Sequence, residues 1–246
     1  MHTIAIASQK GGVGKTTTAA AIAQGLHNAG FKVLSLDTDP QANFSDLQQT
    51  STGAGLYDII KASADAGEVI QKTTAGDFIR ADKRLAEKGI QERKGIENAL
   101  KELLAPLQRK YDYCIIDTPP QLGAMTVSAL MAADSFIVPA RADRFSVQGL
   151  QEVYTTARAI NPALILLGVI VTQYNARTTL NKAVLDALRQ QAQIYHSRVI
   201  EPPIRRTIAA EEWQYTGDIY GEITTAGADY DAVVKQIPKL IKMKRR

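Results

Sequence analysis

The sequence predicts one α/β domain spanning 1–246, built on a doubly wound, mostly parallel β-sheet flanked by helices. Three observations carry this expectation. Apolar, β-branched runs alternate with helical patterns from end to end; the runs are apolar on both faces, as buried parallel strands are; and a glycine-rich loop joins the first run to the first helix. Strand–helix alternation of this kind implies right-handed crossovers and a layered sandwich. With 246 residues, 45% of them hydrophobic and 22% charged, the chain can bury a sizeable core without disulfide staples.

Thr3 to Ala7 reads as the first strand, and Thr16 to Asn28 carries Ala and Leu at helical spacing until Gly30 stops it. Lys32 to Leu36 is a second strand, Tyr113 to Ile116 a third, Ser135 to Pro139 a fourth and Leu164 to Val171 a fifth, with a short one expected near Ser197 to Ile200. Helical segments fall at about Ile96 to Gln108, Met125 to Met131, Val147 to Ala159 and Leu180 to Gln191. Residues 44–95 break the rhythm: they are polar, contain Gly53, Gly55 and Gly76, and read as an excursion of short helices with a strand at Phe78 to Ala81. A basic tail occupies 239–246.

Composition narrows the class. The single cysteine, Cys114, has no internal partner and lies in the apolar run Tyr113-Cys114-Ile115-Ile116, where a small buried hydrophobe is expected. This suits a reducing cytoplasm. No run approaches the roughly 18 apolar residues of a membrane span. The N-terminus lacks the basic region of a signal peptide. A net charge of +4 says little about nucleic acid until the positive residues are located.

The loop Lys10-Gly11-Gly12-Val13-Gly14-Lys15-Thr16-Thr17 is built to hold the phosphates of ATP. A phosphate cradle needs backbone N–H groups unobstructed by side chains, and Gly11, Gly12 and Gly14 supply that freedom. The following helix offers its positive end to the anion. Lys15 can reach the β and γ phosphates and the Thr16 hydroxyl can ligate Mg²⁺. The first glycine of the usual pattern is replaced by Gln9, and a second lysine, Lys10, follows it.

Carboxylates accompany the loop. Asp37-Thr38-Asp39-Pro40-Gln41-Ala42-Asn43 follows the second strand directly, at the strand ends where open parallel sheets bind ligands. Two carboxylates there can position Mg²⁺ and an attacking water, and Asp-Pro-x-x-Asn is also good turn chemistry. Four apolar residues likewise carry Asp117 to the same edge.

Lys10–Thr17 resembles the deviant Walker A motif of the ParA/MinD group of P-loop ATPases. The resemblance implies that Lys10 reaches across an ATP-sandwich dimer to the partner's nucleotide. It also implies that Asp39 orients the water with Asp37 near the metal, and that Tyr113 to Pro120 is a Walker B strand whose Asp117 serves Mg²⁺. Val138 to Leu150 is similar to the family stretch where a strand ends in Pro and a Gly-Leu pair enters a helix. Val171 to Thr178 resembles the loop near the adenine, which would place Gln173 at the base. Glu201-Pro202-Pro203-Ile204-Arg205-Arg206 stands where the family has I-P-R-N-x-R. The family's Asn is unmatched, and Pro203 is the adenine contact this loop offers.

The closest likeness is to short ParA-type partition ATPases without an N-terminal helix-turn-helix. It implies a cytoplasmic, nucleoid-associated protein whose ATP-bound homodimer binds DNA without sequence preference. Hydrolysis stimulated by a ParB-like centromere-binding partner would reset it. Phosphate contacts need clustered cations; the candidates are first Arg205 and Arg206, then Arg177, Arg189 and Arg198, with the terminal run Lys239, Lys242, Lys244, Arg245 and Arg246 as the densest positive patch. A MinD-like membrane-surface ATPase is the alternative, because Val233, Val234, Ile237, Leu240 and Ile241 fall at helical spacing among lysines, although Pro238 interrupts them. An amidoligase on the same scaffold would need a substrate pocket. An iron–sulfur relative would need more than one cysteine.

Overall fold

A computed structural model describes residues 1–51, 53–207, 213, 216–220 and 224–244. Among them a sheet of seven strands runs β3-β4-β2-β5-β1-β6-β7. The strands are β1 (His2–Ile6), β2 (Val33–Asp37), β3 (Gln71–Thr73), β4 (Gly76–Ile79), β5 (Tyr113–Asp117), β6 (Ser135–Arg141) and β7 (Ile165–Thr172). All pair in parallel except β3, which runs antiparallel to β4 at the edge.

Every residue of β1 and β2 is buried, because the sheet is covered on both faces. On one face Ile4, Ile6, Ile115 and Ile137 pack against the helix α1 (Lys15–Asn28) and the helices Thr225–Val234 and Ile237–Lys244. On the other, Ala5, Phe136 and Val138 meet the helices Ser146–Ile160 and Thr179–Ile194, while Leu34, Leu36 and Ile116 meet Leu100, Leu103 and Met125. Odd and even strand positions thus go to opposite layers, as the two-residue period requires.

The structure moves several expected boundaries. The first strand spans His2–Ile6 and the second continues into Asp37. The strand of the excursion is Gly76–Ile79, hairpinned to a polar strand, Gln71–Thr73, that the sequence pattern does not announce. The helix expected at Ile96 to Gln108 is a true α-helix only over Ala99–Leu104, with 3₁₀ turns on either side; Pro106, which lacks an N–H, falls where the regular ladder would need one. Ser197 to Ile200 forms a lone bridge, Val169 to Val199, in place of a strand. Ile200 crosses over Gly168 so closely that a Cβ there would sit 2.4 Å from it.

The C-terminal apolar stripe is core. Val233, Val234, Ile237, Leu240 and Ile241 are all buried in the core layer that α1 shares on that face of the sheet. Pro238 occupies the first turn of the closing helix, where its missing N–H costs nothing. Among the described residues, no helix is long and apolar enough to cross a membrane.

Candidate nucleotide site

β1, β2 and β5 lie side by side, with Ile6 in register with Asp117 and Asp117 with Asp37. Their carboxyl ends therefore deliver the glycine loop and both aspartate motifs to one edge. Ala19, Ala20, Ala21 and Ala23 of α1 are buried, and such small side chains let that helix lie close on the sheet. Gly12 and Gly14 hold φ of 70° and 83°, the left-handed region that glycine enters without strain.

The loop is braced from outside by the end of β7. The Thr172 hydroxyl donates to the Val13 carbonyl at 2.8 Å, and Gln173 Nε2 donates to the Gly12 carbonyl at 3.1 Å. Gln173 makes this reach from a φ of 52°. Gln9, in the usual glycine position, points its amide to Thr156 at 3.0 Å.

A cleft of about 510 Å³ opens over the loop, lined by Gly11, Gly12, Gly14, Lys15, Thr16 and Thr17. Asp39, Asn43, Asp46, Leu47, Pro120 and Trp213 form its remaining wall. Asn43, Asp46 and Leu47 belong to the short helix α2 (Asn43–Leu47). Asn43 closes the Asp37–Asn43 motif that the sequence brings to this edge; sequence reasoning does not assign Asp46, Leu47 or Trp213 to the site. The signal available was that Trp213 is the chain's only tryptophan.

Electrostatics at this edge are unusual. Lys15 is only 8% exposed; burial lowers its pKa, against the opposing pull of Asp117 and Asp39. Its ammonium reaches the Lys10 carbonyl at 3.4 Å. Thr16 Oγ1 donates to Asp117 Oδ2 at 2.7 Å, whereas Asp117 Oδ1 is buried with no hydrogen-bond partner among the described residues. Burial, with the Asp37 charge adding to it, raises the Asp117 pKa well above the usual range. Asp37 is raised to about 6, again mainly by burial, although hydrogen bonds from Asp39 and Ser45 work the other way.

Lys10 is turned elsewhere. Its ammonium lies 2.5 Å from Asp143 Oδ2 and 5.7 Å from the centre of the exposed Phe145 ring. Burial works against the Asp143 carboxylate, but Lys10, the Phe145 amide and the Ser146 hydroxyl together lower its pKa.

The base-binding candidates lie beside the loop. Pro203 follows the cis peptide Glu201-Pro202, and the next residue, Ile204, accepts a hydrogen bond from the Tyr174 amide at 2.9 Å. Gln173 and Pro203 thus flank the end of β7, outside the residues that line the cleft.

The basic candidates divide into committed and free. Arg205 grips the buried Asp229 with Nε at 2.8 Å and Nη2 at 2.7 Å. Arg189 is clasped between Asp186 and Glu201, and Lys244 donates to the His196 carbonyl. Arg177, Arg206 and Lys242 are exposed. Arg245 lies outside the described residues, as does Arg246.

A parallel sheet whose first strand runs through a glycine loop into a helix, with Lys15, Thr16 and Asp117 gathered over one cleft, defines a P-loop nucleotide-binding protein. Known proteins agree. A family model described as an AAA domain matches residues 1–165. The sporulation initiation inhibitor protein Soj of Bacillus subtilis is 34% identical over 85% of this chain and 86% of its own. The chromosome partitioning protein ParA of Caulobacter vibrioides is 34% identical over 86% of this chain and 83% of its own. A crystal structure of cobyrinic acid a,c-diamide synthase from Mycobacterium smegmatis, with bound ATP analog and magnesium, superposes with a TM-score of 0.82. It shares 30% identity and covers 100% of this chain and 97% of its own. The chain belongs to the ParA/MinD family of P-loop ATPases.

Proposed function

We propose that this chain is a partition ATPase of the ParA type. ATP and Mg²⁺ bind in the 510 Å³ cleft, two ATP-bound chains close into a sandwich dimer, and the dimer binds DNA without sequence preference. Slow hydrolysis, stimulated by a ParB-like partner, returns the chain to the monomer. The observation that carries the reading is Lys10. It belongs to the phosphate loop yet is absent from the residues lining its own cleft, held outward against Asp143. To serve a second copy of the chain, this lysine would exchange Asp143 for that copy's nucleotide.

The residues at the edge fit a divalent cation. Asp117 Oδ1 is buried and unpartnered among the described residues, and Thr16 and Asp117 already meet at 2.7 Å. Asp37 stands behind them with both oxygens engaged by N–H and O–H groups. Thr16 and Asp117 would hold Mg²⁺, which would supply charge neutralisation at the phosphates. Lys15 adds a second positive charge, desolvated and therefore strong, and Asp39, which lines the cleft, is the carboxylate assigned to orient the water. Such a role needs position more than basicity, because phosphoryl transfer has a loose transition state.

Amide formation is the second reading, favoured by the likeness to the diamide synthase. It requires ATP turnover to depend on an added carboxylic acid and nitrogen donor, whereas the partition reading requires water alone. A membrane-surface role has lost the feature that suggested it, since the C-terminal stripe lies in the core. The test is retention of the protein on plasmid DNA with ATP, ADP or no nucleotide across a salt series, with anionic vesicles in parallel. Retention on DNA with ATP alone, falling steeply with salt, is the expected result. Equal retention in all three nucleotide states, or ATP-dependent binding to vesicles only, contradicts it.

A further inference from the structure

Ser45 lies in α2, only 1% exposed, eight residues after Asp37. No motif draws attention to it. Its amide donates to Asp37 Oδ2 at 2.9 Å and its hydroxyl donates to the same oxygen at 2.8 Å. The Ala81 amide donates to the Ser45 hydroxyl at 2.9 Å. A hydroxyl carries one proton; with the Ala81 N–H pointing at its oxygen, that proton is directed to Asp37.

The other carboxylate oxygen, Asp37 Oδ1, accepts the Asp39 amide at 3.0 Å. One buried carboxylate therefore pins both ends of the loop that contains Asp39. Inside the loop Asp39 Oδ1 accepts the Gln41 amide at 2.9 Å, and the Asp39 carbonyl accepts that of Ala42. Ala42 is held at φ 56°, a conformation alanine seldom adopts, so the loop keeps its shape through these bonds. Behind it Phe44 and Phe78 meet edge-to-face at 4.8 Å, which fastens α2 to β4, while the Ser45–Ala81 bond ties α2 to the segment just after that strand.

We infer that the Ser45 hydroxyl is a positioning residue for ATP hydrolysis: it orients Asp37, fixes the loop that presents Asp39, and couples that loop to the segment that follows β4. The inference rests on the hydrolysis reading above. Ser45 does not line the cleft, so its loss leaves the phosphate loop intact and acts on turnover. A displacement of catalytic groups by about 1 Å is enough to cost on the order of a hundredfold in rate.

The experiment compares Ser45→Ala, Ser45→Cys and Ser45→Thr with the native chain, measuring the Kd for ATP, single-turnover hydrolysis and the melting temperature. The expected result is a Kd within about twofold for all of them, hydrolysis slowed about tenfold or more in Ser45→Ala and Ser45→Cys, and near-native hydrolysis in Ser45→Thr. The thiol fills the serine's place but donates weakly, so Ser45→Cys decides the matter if Ser45→Ala does not fold. Native-rate hydrolysis in either variant lacking the hydroxyl overturns the inference. So does a Ser45→Thr variant that folds and binds ATP but is as slow as Ser45→Cys. A native chain that binds ATP without hydrolysing it sinks the hydrolysis reading itself, which the native control reveals separately.

Discussion

Asp37 is fully buried and Lys15 nearly so at the floor of the cleft, and each is a consequence of the sheet edge on which it sits. Burial lowers the Lys15 pKa, so the fold holds a poorly solvated cation that an anionic ligand would stabilise. Lys15→Ala is expected to abolish ATP binding in calorimetry; retained tight binding would refute the phosphate-loop assignment. Asp37 yields a pH prediction. Its pKa of about 6 in the folded chain exceeds the unfolded value of about 3.9, so between those two pH values the folded state holds the extra proton. Stability contributed at this site therefore falls as pH rises through that window and is lowest above it. Asp37→Asn should flatten that part of the pH dependence of the melting temperature, and an unaltered slope would contradict the assignment. At this scale the sequence was informative where chemistry demands a residue type at fixed spacing: Gly12, Gly14, Lys15 and Thr16 do line one cleft, and Asp117 does meet Thr16. It was silent on Ser45 and Trp213, whose neighbours are distant in the chain.

Elements with one dominant period were legible, and elements decided by tertiary packing were not. β1, β2, β5, β6 and β7 are apolar on both faces, so their existence follows from the runs themselves. β3 is Gln-Lys-Thr, a polar edge strand that pairs, among the described residues, with β4 alone, and nothing in its composition marks it. The interruption around Pro106 was readable in principle, yet the helical spacing of Leu100, Leu103 and Leu107 outweighed it. β4 matters beyond its length, because Phe78 is fully buried and touches Phe44 of α2. Phe78→Ala is expected to cost about 3–5 kcal/mol in urea unfolding. A loss below about 1 kcal/mol would show that the excursion contributes little to holding the loop behind the cleft.

The molecule as a whole is a switch only if its basic surface and its cleft respond to the same nucleotide. Arg205 is bound to Asp229 of the helix Thr225–Val234, so Arg205→Ala should lower the melting temperature and leave the salt dependence of DNA binding nearly unchanged. Arg177 and Arg206 are exposed and face solvent. Replacing both with Ala should reduce that salt slope by about 0.9 for each phosphate no longer neutralised, and an unchanged slope would direct attention to Lys242 and the end of the chain. These outcomes invert the weight that sequence alone gives the Arg205-Arg206 pair, since adjacency in the chain does not reveal that one of the two is already paired. The phosphate loop marks this chain as nucleotide-binding, but Lys10, held by Asp143 outside its own cleft, is what makes the proposal a dimer switch. The most direct measurement is sedimentation of Asp39→Ala, and of Asp39→Ala combined with Lys10→Ala, with ATP and Mg²⁺ or with ADP. The account expects a species of twice the monomer mass for Asp39→Ala with ATP alone, lost when Lys10 is also replaced. A monomer throughout, or a dimer indifferent to Lys10 and to nucleotide, would contradict it.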